Sequence, residues 1–215
     1  MHNIERLTTN KLIDYKDSIK MMEQRIQEIH QGTQNELIWF LNHNHIYTQG
    51  TSASNKEIIK NTKTPIIKTN RGGKTTYHGP GQRIVYFLLD LNKRKKDVRK
   101  FITTIENSLI KFLNIYNIQS TTFTDRVGIW VTEAHDKSLA KEEKIGAIGL
   151  RLKKWITYHG LSFNINPDLN YYNSIHACGL QNYKITSLNK LGVKIPVKQF
   201  DEGFSKIFID ELEKL

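Results

Sequence analysis

The 215-residue chain is 38% apolar and 25% charged, the balance of a soluble globular protein, which excludes disordered and collagen-like chains. Its single cysteine excludes a disulfide framework and a cysteine-rich zinc site, and a lone thiol suits a reducing compartment. Lys and Arg number 32 against 21 Asp and Glu, a formal charge of +11 whose field draws polyanions or acidic proteins without saying which.

The chain opens on Leu12, Tyr15, Ile19, Met22, Ile26 and Ile29, spaced alternately three and four apart. This is one apolar helical stripe, with Gly32 as its stop. Short apolar runs predict strands over 37–41, 46–49 and 65–69, the last entering a glycine-rich loop over 71–81. Residues 83–89 read as a buried strand, and Val98, Phe101, Ile102, Ile105, Leu109, Phe112 and Leu113 mark a second helix. A strand over 127–132 follows, then a polar stretch over 133–143 that reads as an exposed loop, then a strand pair over 145–152 and 155–164. Phe200, Phe204, Ile207, Phe208 and Leu212 close the chain with an amphipathic helix over 197–212. The irregular interleaving predicts an α/β or α+β fold, a sheet flanked by helices.

No internal repeat, low-complexity tract or proline-rich linker interrupts the order, so one domain over 1–215 is expected. No run approaches the ~20 apolar residues of a membrane span. The first residues lack an apolar signal core, and Glu5, Asp14, Asp17, Glu23 and Glu28 argue against an acid-poor transit peptide. A cytoplasmic protein is the expectation.

Residues 71–82, Arg-Gly-Gly-Lys-Thr-Thr-Tyr-His-Gly-Pro-Gly-Gln, form the densest unusual segment. Its glycines let backbone approach a ligand closely, and its side chains add donors. Gly73-Lys74-Thr75 imitates the end of a phosphate-binding P-loop, but Lys68 stands where that motif needs glycine. An ordinary glycine-rich turn is the plain alternative. Tyr-His-Gly occurs at 77–79 and again at 158–160. His43-Asn44-His45 suggests a metal, but no third ligand has a recognisable spacing, so none is expected.

Cys178 is followed by Gly179, which leaves its sulfur sterically open. It is either a small buried hydrophobe or a nucleophile. A thiol of pKa ~8.5 is mostly protonated at neutral pH, so the second role needs a cation or base nearby. Lys144, followed by Gly146 and Gly149, is a candidate. Lys93-Arg94-Lys95-Lys96, with Arg99 and Lys100, gathers positive charge where the second helix begins, against the helix macrodipole. It is a solvated helix end, or a docking site for an acidic protein or a nucleic acid.

Three blocks in order resemble the octanoyltransferases of lipoate synthesis: Arg71 to Gln82; Lys144 to Gly149 continuing through Trp155 to Asn164; and Ile175 to Leu180 followed by Thr186-Ser187-Leu188. The resemblance implies a mixed sheet flanked by helices, similar to biotin and lipoate protein ligases. It implies a thioester on Cys178, with Lys144 as its partner. It places substrate binding at Arg71, Gly72, Gly73, Lys74, Thr75, Thr76, Tyr77 and His78, at Ala147, Ile148 and Gly149, and at Gly160, Leu161 and Ser162. The donor it implies is octanoyl-acyl carrier protein. The acceptors it implies are lipoyl domains of 2-oxoacid dehydrogenases and the glycine cleavage H protein. No ATP, metal, nucleic acid or membrane enters this picture, and the chain is expected to be a monomer with His78 and His159 shaping the pocket. Two positions depart from the family pattern: Ala177 replaces the usual proline before the cysteine, and Glu143 a commonly basic residue before the lysine. Glu143 could there pair with Lys144. The rival readings are an ATP-dependent lipoate or biotin ligase, a basic nucleic-acid-binding module, and a non-catalytic relative that only binds acylated domains.

Overall fold

The computed structural model describes residues 4–179 and 183–215, the side chain of Cys178 excepted. The stripe of the first helix is real from Tyr15 onward. Helix α1 runs Tyr15–Gln31, capped by the Asp14 carboxylate, which accepts from the Lys16 and Asp17 amides, and closed by Gly32 at φ +73°. Leu12 belongs instead to a strand the periodicity does not reveal, β1 (Ile4–Ile13), which pairs in parallel with β2 (Glu36–His43). Strand β1 lies at the edge of its sheet and is half exposed along its length, so it carries no apolar run.

Strands β3 (Ile46–Gln49) and β4 (Ile66–Lys68) form where their apolar runs predict. The glycine-rich segment is not all loop. It contains β5 (Thr75–His78), which joins β3 and β4 in a three-stranded sheet. Strand β6 (Gln82–Leu88) is buried along its whole length, and α2 follows at Val98–Asn114, capped by Asp97.

The polar stretch over 133–143 departs from its expected form. It is not a loop but the hairpin between β8 (Ile129–Ala134) and β9 (Lys137–Lys153), preceded by a short β7 (Ile118–Thr121). His135 and Asp136 turn it with φ of +52° and +61°, the geometry of a tight hairpin. Lys154 and Trp155 turn β9 into β10 (Ile156–Asn164) in the same way. A two-residue β11 (Lys184–Ile185) lies parallel to β9, and α3 spans Val197–Leu212.

The large mixed sheet has the order β1-β2-β6-β10-β9-β8-β7, with β11 against β9. Helix α1 covers one face, placing Met22, Ile26 and Ile29 with Trp39, Tyr86 and Tyr158. Helices α2 and α3 cover the other, where Phe101, Phe112, Phe200 and Phe208 meet Phe87 and Phe163. Strand β8 pairs with β9 only as far as Ile129↔Gly146, while β9 runs on to Lys153. The outer edge of 147–153 therefore has no β8 neighbour, and the glycine-rich segment lies along it instead, with the Gly72 amide donating to the Leu150 carbonyl at 3.2 Å. Among the described residues no helix is long and apolar enough to cross a membrane.

Candidate active site

A cavity of about 690 Å³ opens beside that free edge. Its wall takes Arg71, Gly72, Gly73, Lys74, Thr76 and His78 from the glycine-rich segment, Lys144 and Ala147 to Leu152 from β9, and Thr157 and His159 to Ser162 from β10. Close packing there demands glycine. A Cβ on Gly72 would come within 2.9 Å of the Leu150 carbonyl, and one on Gly149 within 2.9 Å of the Gly72 carbonyl.

Arg71 shapes the segment from inside. Only 7% exposed, it donates from Nε to the Thr48 hydroxyl at 2.9 Å and from its terminal nitrogens to the carbonyls of Thr48 (2.6 Å), Lys74 (2.7 Å) and Gly72 (2.9 Å). The loop is folded around one guanidinium. Strand alternation then sorts the next four residues. Thr76 and His78 line the cavity, and Thr75 and Tyr77 do not. The Thr75 amide donates to the Glu57 carboxylate at 2.8 Å. The Tyr77 hydroxyl bonds His45 Nδ1 at 2.7 Å, and its ring stacks on Tyr171 with centroids 4.7 Å apart.

The histidines at the cavity are neutral. His78 donates from Nδ1 to Gln82 Oε1 at 2.7 Å and faces the Thr48 hydroxyl from Nε2 at 3.3 Å. Burial, aided by His43 and Arg71, holds its pKa well below the usual imidazole range. Burial, with Arg71 and His43 nearby, lowers His159 to about 3. Behind them, His43 bonds the Ile13 carbonyl at 2.8 Å and the Tyr86 hydroxyl at 2.7 Å, and burial lowers it to about 4. His43 and His45 thus serve different networks. Among the described residues no group of three metal-ligating side chains is placed to hold an ion.

Lys144 is 4% exposed. Its Nζ donates to the Val127 carbonyl at 2.6 Å and lies 5.5 Å from the centre of the Trp130 ring. Gly128, at φ +130°, makes this possible, because a Cβ there would strike the lysine side chain, 2.8 Å from Nζ. Glu143 does not sit on the lysine's side. Alternation turns it away, and it pairs with Lys190 at 2.9 Å.

Cys178 lies at the middle of a 3₁₀ turn, Ala177–Gly179, and its side chain is outside the described residues. The main chain leading to it is well anchored. The His176 amide donates to the Glu57 carbonyl at 2.7 Å, the Ile59 amide to the Ser174 carbonyl at 3.0 Å, and the Gly179 amide to the His176 carbonyl at 2.8 Å. Ala177, next to the cysteine, shares a narrow cleft with Thr76, Lys144, Ala147 and Ser162. A Cβ on Gly179, the other neighbour, would meet Lys74 Nζ at 2.5 Å. Three segments far apart in sequence therefore converge here. Strand β11 helps to bring them together, since Ile185 pairs with Lys144 and the Thr186 amide donates to the Lys144 carbonyl at 2.8 Å.

The wall also takes Tyr15 and Tyr86, Val98 and Ile102 of α2, and Arg126, none of which the motifs single out. Tyr15 is part of the helical stripe, which reads as core packing. The Arg126 guanidinium lies 3.7, 4.8 and 4.7 Å from the rings of Phe123, Trp130 and Tyr183. The only signal for it is aromatics scattered on either side of a polar gap.

The family model for the lipoyl protein ligase A/B catalytic domain matches residues 14–209. A protein named octanoyltransferase from Wolbachia pipientis wMel is 46% identical over 205 residues, covering 95% of this chain and 97% of its own. One from Brucella melitensis is 40% identical over 209 residues, covering 95% and 79%. Among solved structures, a bipartite lipoate protein ligase from Thermoplasma acidophilum aligns with a TM-score of 0.70 at 12% identity, over 99% of this chain and 85% of that one. A biotin protein ligase from Aquifex aeolicus aligns with a TM-score of 0.57 at 12% identity, over 100% and 71%. At such identities the likeness shows the fold.

Proposed function

The chain belongs to the octanoyltransferases, acyltransferases within the lipoyl protein ligase A/B catalytic family, and from that premise we propose a two-step transfer through a thioester on Cys178. The donor is an octanoyl (or lipoyl) thioester of acyl carrier protein. The acceptor is a lysine of a lipoyl domain in a lipoate-dependent enzyme.

In the first step the Cys178 proton passes to Lys144, the thiolate attacks the thioester carbonyl, and the donor C–S bond breaks as Lys144 returns the proton to the departing carrier thiol, which leaves the lysine neutral. In the second, the acceptor amine attacks the acyl-enzyme, the C–S bond breaks, and Lys144 removes the amine's proton. A thioester is already activated and its conversion to an amide runs downhill, so the reading requires neither ATP nor a metal. Apolar wall at Ile148, Leu150 and Leu161 suits an acyl chain, each buried methylene contributing ~0.8 kcal/mol.

The observation that carries the reading is the position of the buried Lys144 amine, on the wall of the large cavity and in the cleft it shares with the cysteine's neighbour Ala177. Intact mass spectrometry after mixing with octanoyl-carrier protein tests it. One octanoyl adduct is expected on the native chain and none on Cys178→Ala. An equal adduct on that variant moves the nucleophile elsewhere. Lys144→Met is expected to fold normally and acylate slowly, and normal turnover by it removes the lysine's role. Octanoate with ATP, offered in place of the thioester, is expected to give no product.

A further inference from the structure

We propose that the exposed basic surface formed by the start of α2 and the β9–β10 turn is where an acidic carrier protein docks to deliver its acyl chain. The proposal rests on the donor assigned above and adds where that donor binds.

Lys95, Lys96 and Arg99 are exposed around the first turn of α2, and Lys153 and Lys154 are exposed at the end of β9. Hydrogen bonds make the two segments one surface. The Leu91 amide donates to the Trp155 carbonyl at 2.8 Å, and the Asn92 side chain donates to the Lys154 carbonyl at 3.2 Å. The Lys96 ammonium lies 5.7 Å from the centre of the Trp155 ring. Trp155 is 41% exposed among these cations, an aromatic of the kind that anchors protein interfaces.

Internal pairing does not account for the charge. Among the described residues none of these five cations makes an ion pair with a carboxylate. The two nearby acids are engaged as caps, Asp90 accepting from the Asn92 amide at 2.9 Å and Asp97 from the Lys100 amide at 2.9 Å. Arg94 stands apart, buried against Glu36 at 2.6 Å. Cations at a helix N-terminus oppose the macrodipole, so the arrangement carries a small cost to folding that an acidic partner would offset.

The surface also adjoins the cavity, whose wall includes Val98 and Ile102 of α2 and Leu152 of β9. Distance separates donor from acceptor. Lys144 and Leu152 lie on the same strand, eight residues or about 26 Å apart at ~3.3 Å per residue. An acceptor lysine has only its own side chain to reach the acyl-enzyme and must dock close to Lys144. A carrier protein presents its acyl group on a long flexible thiol arm, which can lie along Ile102, Leu150 and Leu152 from the basic surface inward. A cavity of about 690 Å³ exceeds what eight carbons fill and leaves room for that arm.

The test is a triple variant, Lys95→Glu with Arg99→Glu and Lys153→Glu, with Trp155→Ala as an independent second variant. Rates are measured against octanoyl-carrier protein, octanoyl-pantetheine and an acceptor lipoyl domain in turn. The expected result for the triple variant is a KM for octanoyl-carrier protein raised tenfold or more at low salt, with kcat retained and the salt dependence of the native rate largely lost. The KM for the lipoyl domain and the rate with octanoyl-pantetheine stay as they are. For Trp155→Ala a smaller rise in the same KM is expected. An unchanged KM for the carrier donor in both variants, or a rise in the KM for the lipoyl domain instead, overturns the proposal. Calorimetric binding of the unacylated carrier protein keeps the proposal separate from the catalytic reading. Binding by the native chain that the triple variant loses supports the surface whatever the chemistry, and no binding by the native chain overturns it.

Discussion

The tripeptide Tyr-His-Gly is built twice, at the end of β5 and within β10, and both histidines line the cavity. Their surroundings differ. His78 has both ring nitrogens engaged, and Gln82, its partner, donates in turn to Asn164 at 3.0 Å and to the Tyr172 hydroxyl at 2.8 Å. This copy joins the small sheet to the large one. His159 sits at φ +57°, a left-handed conformation that costs a side-chain-bearing residue ~1–2 kcal/mol. Its Nε2 bonds Asn70 Oδ1 at 2.9 Å, but its Nδ1 is buried and has no hydrogen-bond partner among the described residues. The same three residues therefore make a satisfied joint in one place and a strained wall in the other. Strain of this kind gathers where a ligand is held.

The largest expected effect is one the two copies share. His43, His78 and His159 all have folded pKa values depressed below the ordinary 6.5, the first to about 4 and the last to about 3. Below pH 6.5 the unfolded chain binds protons at these sites that the folded chain refuses. Stability is therefore full above pH 6.5 and falls as the pH drops, each histidine contributing up to ~1.4 kcal/mol per pH unit. Urea unfolding between pH 7 and 5 should show a loss of several kcal/mol, less steep in His43→Gln. A flat profile would mean that these rings take up protons in the fold as readily as in the unfolded chain.

Substitution should then separate the copies. His78→Ala leaves the buried Gln82 Oε1 without its donor and the Thr48 hydroxyl with Arg71 alone, and a loss of about 2 kcal/mol is expected from ~1–3 kcal/mol for the one unmet group. His159→Ala removes one hydrogen bond and one unmet nitrogen together, so a loss of about 1 kcal/mol or less is expected. Its effect should appear in octanoyl transfer, lowered about tenfold, or ~1.4 kcal/mol at the transition state. Equal stability losses would break the contrast.

Much of the scaffold is visible in the apolar pattern because those elements bury a face. Strands β2 and β6 are sealed nearly throughout, and α3 follows its phenylalanines. The hidden elements lack such a face. Strand β1 is an edge, the outer part of the β8–β9 hairpin is largely exposed, and β5 lies inside a segment whose glycines read as loop. The misreading of β5 has a consequence for the site. The family resemblance assigns residues 71–78 to substrate binding as one block, whereas a strand turns alternate residues away, and Thr75 and Tyr77 do not line the cavity. The meeting of Lys144 with the neighbour of Cys178 is made by β11, too short to leave a pattern in the sequence.

The two tyrosines of the repeats give the smallest and most selective test. The Tyr77 hydroxyl is buried against His45 Nδ1 at 2.7 Å, and its ring faces Tyr171 away from the cavity. Tyr77→Phe should cost about 1 kcal/mol of stability, the net value of one hydrogen bond, and leave the KM for the octanoyl donor unchanged. The Tyr158 hydroxyl instead accepts from Asn70 Nδ2 at 3.1 Å, and the same amide holds His159 through its oxygen. Tyr158→Phe should barely change stability but loosen Asn70, and through it the histidine on the wall, so its effect is expected as a twofold to threefold rise in that KM. The crossed result, a KM effect from Tyr77 and none from Tyr158, would show that the ligand reaches the far face of β5, and that the alternation along this strand does not divide contact from support.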